Sequence, residues 1–406
     1  MRNVFIGVLL FAGLQAASAQ TDIHGTWTAE LRQGKVFLQV HSTPPPDPNR
    51  PDDRNGDWSM GQSYSVDDFP GLPANDERLT AASVKFELRR EAGTLSFDGA
   101  FRDGRGAGLF TYTPREAYVA EMRSLGFRDD LPLWRRYNLA VHDVGPKYVR
   151  ELKAEGFNDL NLDQIQRAKT HGVTIEYIKG IKGEGFKTAS LENLVRTKDH
   201  GVTPEYVKAM KAEGYTGTTL DEFVRTRDHG VTQQYIQGMK QAGFGSATVD
   251  DLVRAKDHGV TPEFVKEIKD LGLSAPNLDG YVRLRDHGVR AQLVSEMKSA
   301  GYDKLSTEEL IKAHDHGITP TYVRELATQG IRSVPLEDVI KMKDHGLSAD
   351  YIADMREINK NLTLEQLTRL RDHGITPGFV NHAKSRGYNT TDPDEWIRLR
   401  NNGFRQ

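Results

Sequence analysis

One residue recurs at a fixed interval through most of this 406-residue chain. His142, His171, His200, His229, His258, His287, His316 and His345 are each 29 residues apart; His373 follows after 28, and Asn402 takes the same place 29 later. The residues around them fall into columns, and the half-unit "AYVAEMRSLGF" (117–127) precedes the first. Self-similarity at this period is the signature of a repeat architecture, in which each unit is one supersecondary element stacked on its neighbours.

Each unit reads as two short helices. Around His229, "TLDEFVRTRDHG" opens with Thr219 three residues before Glu222, the spacing of a capping box, and places Leu220, Phe223 and Val224 on one face. It stops at Gly230, where a left-handed glycine closes a helix. A second helix begins at the "VTP" signal, seen as Val202-Thr203-Pro204, Val260-Thr261-Pro262, Ile318-Thr319-Pro320 and Ile375-Thr376-Pro377. Threonine caps the free amides, and proline fits the first helical position because its missing N–H has no partner to lose there. A hairpin of this size cannot bury enough apolar surface alone, so about ten units stack into an α-solenoid. With helices packing roughly 8 to 10 Å apart, the expected array runs on the order of 80 to 100 Å.

Before residue 113 the period is different. Thr26–Leu31 and Val36–Val40 flank the turn signal "RQGK", while "VKFELRR", "TLSFDGAF" and "GAGLFTYT" alternate apolar with polar and are separated by "EAG" and "RDGRG". The stretch "STPPPDPNRPDDRNGD" cannot continue a ladder and reads as an exposed loop. The expected fold class is therefore α+β and multidomain. A small antiparallel β domain of five or six strands (20–112) precedes the α-helical repeat solenoid (113–406).

The first nineteen residues carry Arg2, an apolar run from Val4 to Leu14, and small residues at Ala17 and Ala19. This is the layout of a secretory signal peptide cleaved after Ala19, with an apolar run too short to span a bilayer. The chain is expected to be periplasmic or secreted, with no stable membrane insertion after cleavage. It contains no cysteine, which excludes disulfides, thiolate catalysis and cysteine-based zinc sites. A formal net charge of -3 with interspersed signs leaves no electrostatic footprint for nucleic acid.

The histidine that defines the register is also the natural candidate for chemistry. A catalytic residue is needed once, whereas this one occupies the same place nine times, next to a helix-ending glycine. There an imidazole can donate to free terminal carbonyls, so the nine histidines read as structural repeat caps. A ladder binding metal or haem is the sharper alternative, but successive rings one unit apart are too widely spaced to converge on one ion. The preceding acids Asp199, Asp228, Asp257, Asp286, Asp315, Asp344 and Asp372 sit where the helix dipole disfavours them. Their compensation must come from the amides opening the next helix, a basic side chain of the adjacent unit, or the histidine.

Other motifs fail on inspection. No HExxH, GxSxG or CxxC occurs. "GIKGEGFKT" (180–188) has phenylalanine where a phosphate loop needs lysine, and "PDDRNGD" (51–57) has Pro51 at the first ligand position of a calcium loop. Trp27, in a lipocalin-like "GTW", reads as core.

The strings "REAGTLSFDGAFRDGRGAGLFTYTP" (90–114), "HDVGPKYVRELKAEGF" (142–157) and the "HGVTPEYVK" units resemble an extracytoplasmic module of bacterial, especially acidobacterial-type, exported proteins. That module also occurs appended to integral-membrane zinc-peptidase antirepressors of the beta-lactam-sensing kind. The resemblance covers essentially the whole mature chain. It implies an accessory module, because the family's activity belongs to a peptidase segment whose HExxH has no counterpart here.

The functional expectation is a non-enzymatic exported scaffold that binds a protein or peptide partner through the solenoid, in envelope stress sensing or regulation. No catalytic residue, cofactor or metal is assigned. The alternative is an envelope structural or cell-wall glycan-binding protein, with Trp58 and Tyr64 as the aromatics that would stack on sugar.

Overall fold

The computed structural model describes residues 22–42, 58–73 and 78–405. The signal-peptide reading, the "PDDRNGD" segment and nearly all of the Pro/Asp-rich stretch lie outside these residues.

Six antiparallel strands form one sheet: β1 (Ile23–Arg32), β2 (Lys35–Ser42), β3 (Trp58–Ser65), β4 (Ala81–Arg90), β5 (Gly93–Arg102) and β6 (Arg105–Pro114), in the order β3-β2-β1-β6-β5-β4. The turn signals work as their chemistry dictates. Gln33-Gly34 and Asp103-Gly104 both take positive φ at two successive positions, the requirement of a tight hairpin whose twist matches its strands. The strict alternation of β2 sends Val36, Leu38 and Val40 inward and leaves Lys35, Phe37, Gln39 and His41 outside. Strand β3 was not foreseen, because "WSMGQSYS" lacks both the alternation and the β-branched residues that mark its neighbours.

Trp27 is fully buried at the centre of the β core, with ring centroids 5.1 Å from Phe86 and 5.5 Å from Phe101. Its indole N–H donates to the carbonyl of Leu109 at 3.1 Å. Room for the ring comes from Gly99, where an added Cβ would lie 2.7 Å from it.

Twenty helices follow among the described residues, alternating between two roles. The first helices of the units are α2 (Leu133–Val141), α4 (Leu162–Thr170), α6 (Leu191–Asp199), α8 (Leu220–Asp228), α10 (Val249–Asp257), α12 (Leu278–Asp286), α14 (Thr307–Asp315), α16 (Leu336–Asp344), α18 (Leu364–Asp372) and α20 (Pro393–Asn401). The second helices are α1 (Ala117–Ser124), α3 (Pro146–Ala154), α5 (Ile175–Gly183), α7 (Pro204–Ala212), α9 (Gln233–Gln241), α11 (Pro262–Asp270), α13 (Ala291–Ser299), α15 (Pro320–Thr328), α17 (Ala349–Ile358) and α19 (Pro377–Ser385).

From α1 to α6 and again from α8 to α20, first helices stack on first helices and second on second, as α4 does on α6, α10 on α8 and α12, and α11 on α9 and α13. The caps form where the sequence places them. Thr219 and Glu222 make a reciprocal capping box, and Thr261, Thr319 and Thr376 each accept the amide of the residue three positions on.

The described residues divide into two compact units with the boundary between Pro204 and Glu205, so the sheet shares its unit with the first repeats. The reason lies in the first repeats. Helix α2 lies against β1, β5 and β6, with Tyr137 stacked on Phe110 at 5.9 Å. Glu91, in the β4–β5 turn, accepts the amide of Lys147 at the start of α3.

Candidate functional site

The nine recurring histidines end nine first helices at the C-cap position. At His258 the amide bonds back to Arg254, Gly259 (φ 70°) bonds to the carbonyl of Lys256, and Val260 to that of Ala255. The 6→1 and 5→2 pair of a Schellman motif is thus made by backbone alone, and the terminal carbonyls do not need the imidazole.

The side chain is directed elsewhere. Nδ1 of His171 donates to Asp199 at 2.7 Å, His229 to Asp257 at 2.6 Å, His258 to Asp286 at 2.6 Å, and His287 to Asp315 at 3.0 Å. His316 donates to Asp344 at 2.9 Å and His345 to Asp372 at 2.7 Å. His142 meets Thr170, which holds the aspartate position of its unit, at 3.0 Å. Expected donation to terminal carbonyls is therefore replaced by a bond to the next unit, and the aspartate that the dipole disfavours has its partner in the preceding histidine. His200 and His373 share the C-cap geometry.

These dyads fix the proton on Nδ1 and leave Nε2 as the outward nitrogen. A carboxylate–imidazole dyad is a fragment of several catalytic and metal centres, but a reaction needs a third group converging on it. Among the described residues no group of three or more His, Asp or Glu side chains is placed to hold a metal ion.

Two further columns were not recognised in the sequence. From α3 to α19 every second helix except α13 has an aromatic at its third position. Where it is tyrosine its hydroxyl reaches the next unit: Tyr148 donates to the carbonyl of Val173, Tyr177 to Val202, Tyr235 to Val260, Tyr322 to Leu347 and Tyr351 to Ile375, all at 2.6 to 2.9 Å. Burial pushes these phenols above their ordinary range, Tyr322 and Tyr351 to about 12.

A cation two residues before the next histidine then covers the same ring, as Lys169 does Tyr148, Lys256 does Tyr235 and Lys343 does Tyr322, at 4.5 to 4.7 Å. Both signals were present as recurrences 21 residues apart. On the first-helix surface, Arg254 pairs with Asp279 at 2.8 Å, Arg283 with Glu308 at 2.6 Å and Arg369 with Asp394 at 2.7 Å.

The two aromatics considered for sugar stacking fare differently. Tyr64 is 6% exposed, its hydroxyl 3.5 Å from the carbonyl of Val141 and its ring under Arg90, so it cannot present a face to a glycan. The side chain of Trp58 lies outside the described residues. An open groove of about 630 Å³ crosses the outer face of β4, β5 and β6, but its charges are already paired, Lys85 with Asp98 at 3.2 Å and Arg89 with Glu87 at 2.8 Å. "GIKGEGFKT" is the end of α5, where Gly185 takes φ 98° and closes the helix.

Fold and contacts together define an α+β helical-repeat protein with an N-terminal β domain. No family model matches the chain, and no curated protein matches it.

Proposed function

We propose that this protein is a non-enzymatic exported scaffold that holds a protein or peptide partner on the outward columns of its second helices. The observation that carries the reading is a division of labour between the two helix types. On first helices α4 to α20 an acid at the second position and a cation at the sixth recur in every unit, and they are used in bonds between repeats, as are the histidine and aspartate at the helix end. Two outward columns of the second helices change identity from each unit to the next: Gln234 and Gln237 in α9, Glu263 and Lys266 in α11, Gln292 and Ser295 in α13, Thr321 and Arg324 in α15. An invariant frame with a variable exposed surface is how repeat proteins separate stability from recognition. The signal-peptide layout and the resemblance to an exported accessory module support an envelope setting.

The test is capture from an envelope extract with the intact mature chain and a variant carrying Ala at Glu263, Lys266, Glu267, Arg324 and Glu325. Partners held by the first and lost by the second are expected. An identical captured set from both would remove this face from consideration, and co-sedimentation of the intact chain with peptidoglycan would favour the glycan reading.

A further inference from the structure

The repeats allow one joint to be compared with another, and within Glu205–Gln406 one of them departs from the others at the cap, the aromatic and the covering cation together. The caps of α9, α11, α15, α17 and α19 are Thr232, Thr261, Thr319, Ser348 and Thr376, each accepting a backbone amide. At α13 the corresponding residue is Arg290, which makes no side-chain cap bond. Ala291 replaces the proline that begins α11 and α15. The aromatic column reads Tyr235, Phe264, Leu293, Tyr322 and Tyr351, so at Leu293 there is no hydroxyl to reach Ile318 and no ring to cover. The cation that covers the ring, Arg285 over Phe264 and Lys343 over Tyr322, is here His314, which rests against Gly288.

The first-helix side of the same joint is intact. His287 donates to Asp315, and Arg283 makes a two-pronged contact with Glu308 at 2.6 Å. Helix α13 also keeps a bond backwards, from Lys298 to the carbonyl of Leu271, and Tyr302 just beyond it reaches the carbonyl of Val334. The losses are thus confined to the start of α13 and to its contact with the following unit.

We propose that α13 is the built-in opening point of the array: it detaches locally from its neighbours while α12 and α14 remain stacked, giving the solenoid a joint at residues 290–299. In a stacked array local stability is the sum of a unit's own terms and its nearest-neighbour terms, so a unit that lacks a cap, a hydroxyl bond and a covering cation opens first.

The experiment is native-state amide exchange on the intact chain, comparing 291–299 with the equivalent helices 262–270 and 320–328. Exchange in α13 is expected to be at least about tenfold faster. Leu293→Tyr with His314→Lys restores two columns and should erase most of the difference. Arg290→Thr alone, a surface change that folds whether or not a ring fits, should slow exchange about fivefold within 290–299. Equal protection of the three wild-type helices would overturn the proposal. So would an Arg290→Thr effect spread evenly over α11, α13 and α15.

Discussion

Nδ1 of His258 lies 2.6 Å from Oδ1 of Asp286, a residue 28 positions further on in the next first helix. The histidine that ends one helix is thereby bonded to the aspartate that nearly ends the next, and the arrangement repeats along the array. It explains why an acid persists at a helix C-terminus, where its own dipole opposes it. Both side chains are about 40% exposed, so the pair should contribute little more than a surface ion pair. A double-mutant cycle with His258→Ala and Asp286→Ala is expected to give a coupling of about 0.2 to 1 kcal/mol. A coupling of zero would mean that the recurring register is not maintained by this bond.

The tyrosine hydroxyls are better shielded, and the chain supplies its own controls. Tyr235 donates to Val260 at 2.9 Å, whereas Phe264 holds the same column without a hydroxyl. Tyr235→Phe should cost about 1 kcal/mol, the price of one buried hydrogen bond whose carbonyl partner is left short. Phe264→Tyr should be neutral or stabilising, because Val289 offers the equivalent carbonyl. Urea denaturation of both variants measures this, and a loss in both would show that the phenol, not the missing bond, is at issue.

How much of this was legible follows from where each signal lies. Helix boundaries were, because Thr219, Glu222 and Gly230 act on backbone groups within one turn of themselves. Trp27 as core was legible for a similar reason, from alternation along a single strand. The bonds of His258 and Tyr235 run to residues 28 and 25 positions away, and nothing in local pattern says which group a ring faces across a joint. Strand β3 escaped because its pairing with β2 is imposed by the sheet, Tyr64 opposite Val36, and not by its own composition.

The β domain and the first repeat are joined by a borrowed cap. Gly145 stands where most other units have threonine, and the Glu91 carboxylate accepts the Lys147 amide at 3.0 Å in its stead. Glu91→Ala should therefore lower stability by about 1 kcal/mol, the usual worth of an N-cap. Gly145→Thr restores the motif of the other units, yet a Cβ there would fall 2.0 Å from Glu91 Oε2. Thermal denaturation should find it destabilising; a gain would show that Glu91 is dispensable.

Glu213 provides a pH-dependent test. Its carboxylate accepts from Lys240 at 2.8 Å, Gln237 at 2.7 Å and Gln233 at 3.1 Å, which holds its pKa at about 2, well below the ordinary 4.5. A depressed carboxyl contributes stability that is fully present above the unfolded value and is lost as pH falls through the folded one. Glu213→Gln should thus be less stable than wild type at pH 6. The gap should narrow between about pH 4.5 and 2, read from urea midpoints along the acid limb. A gap independent of pH would assign the effect to packing.

The repeat itself is tested by removal. Excising residues 230–258 joins His229 directly to Gly259, preserving every column and leaving Asp286 28 positions beyond His229 in the shortened chain. The ladder then re-forms with His229 donating to Asp286. Circular dichroism should show unchanged helicity per residue and a cooperative melt, because the lost unit contributed only its own terms and one joint. Excising 230–243 removes α9 alone and breaks the alternation of first and second helices, so the packing that buries Phe223 and Val224 in the intact array is disrupted. That chain should melt broadly with reduced helicity. Comparable behaviour of the two deletions would mean that the 29-residue period does not mark the structural unit.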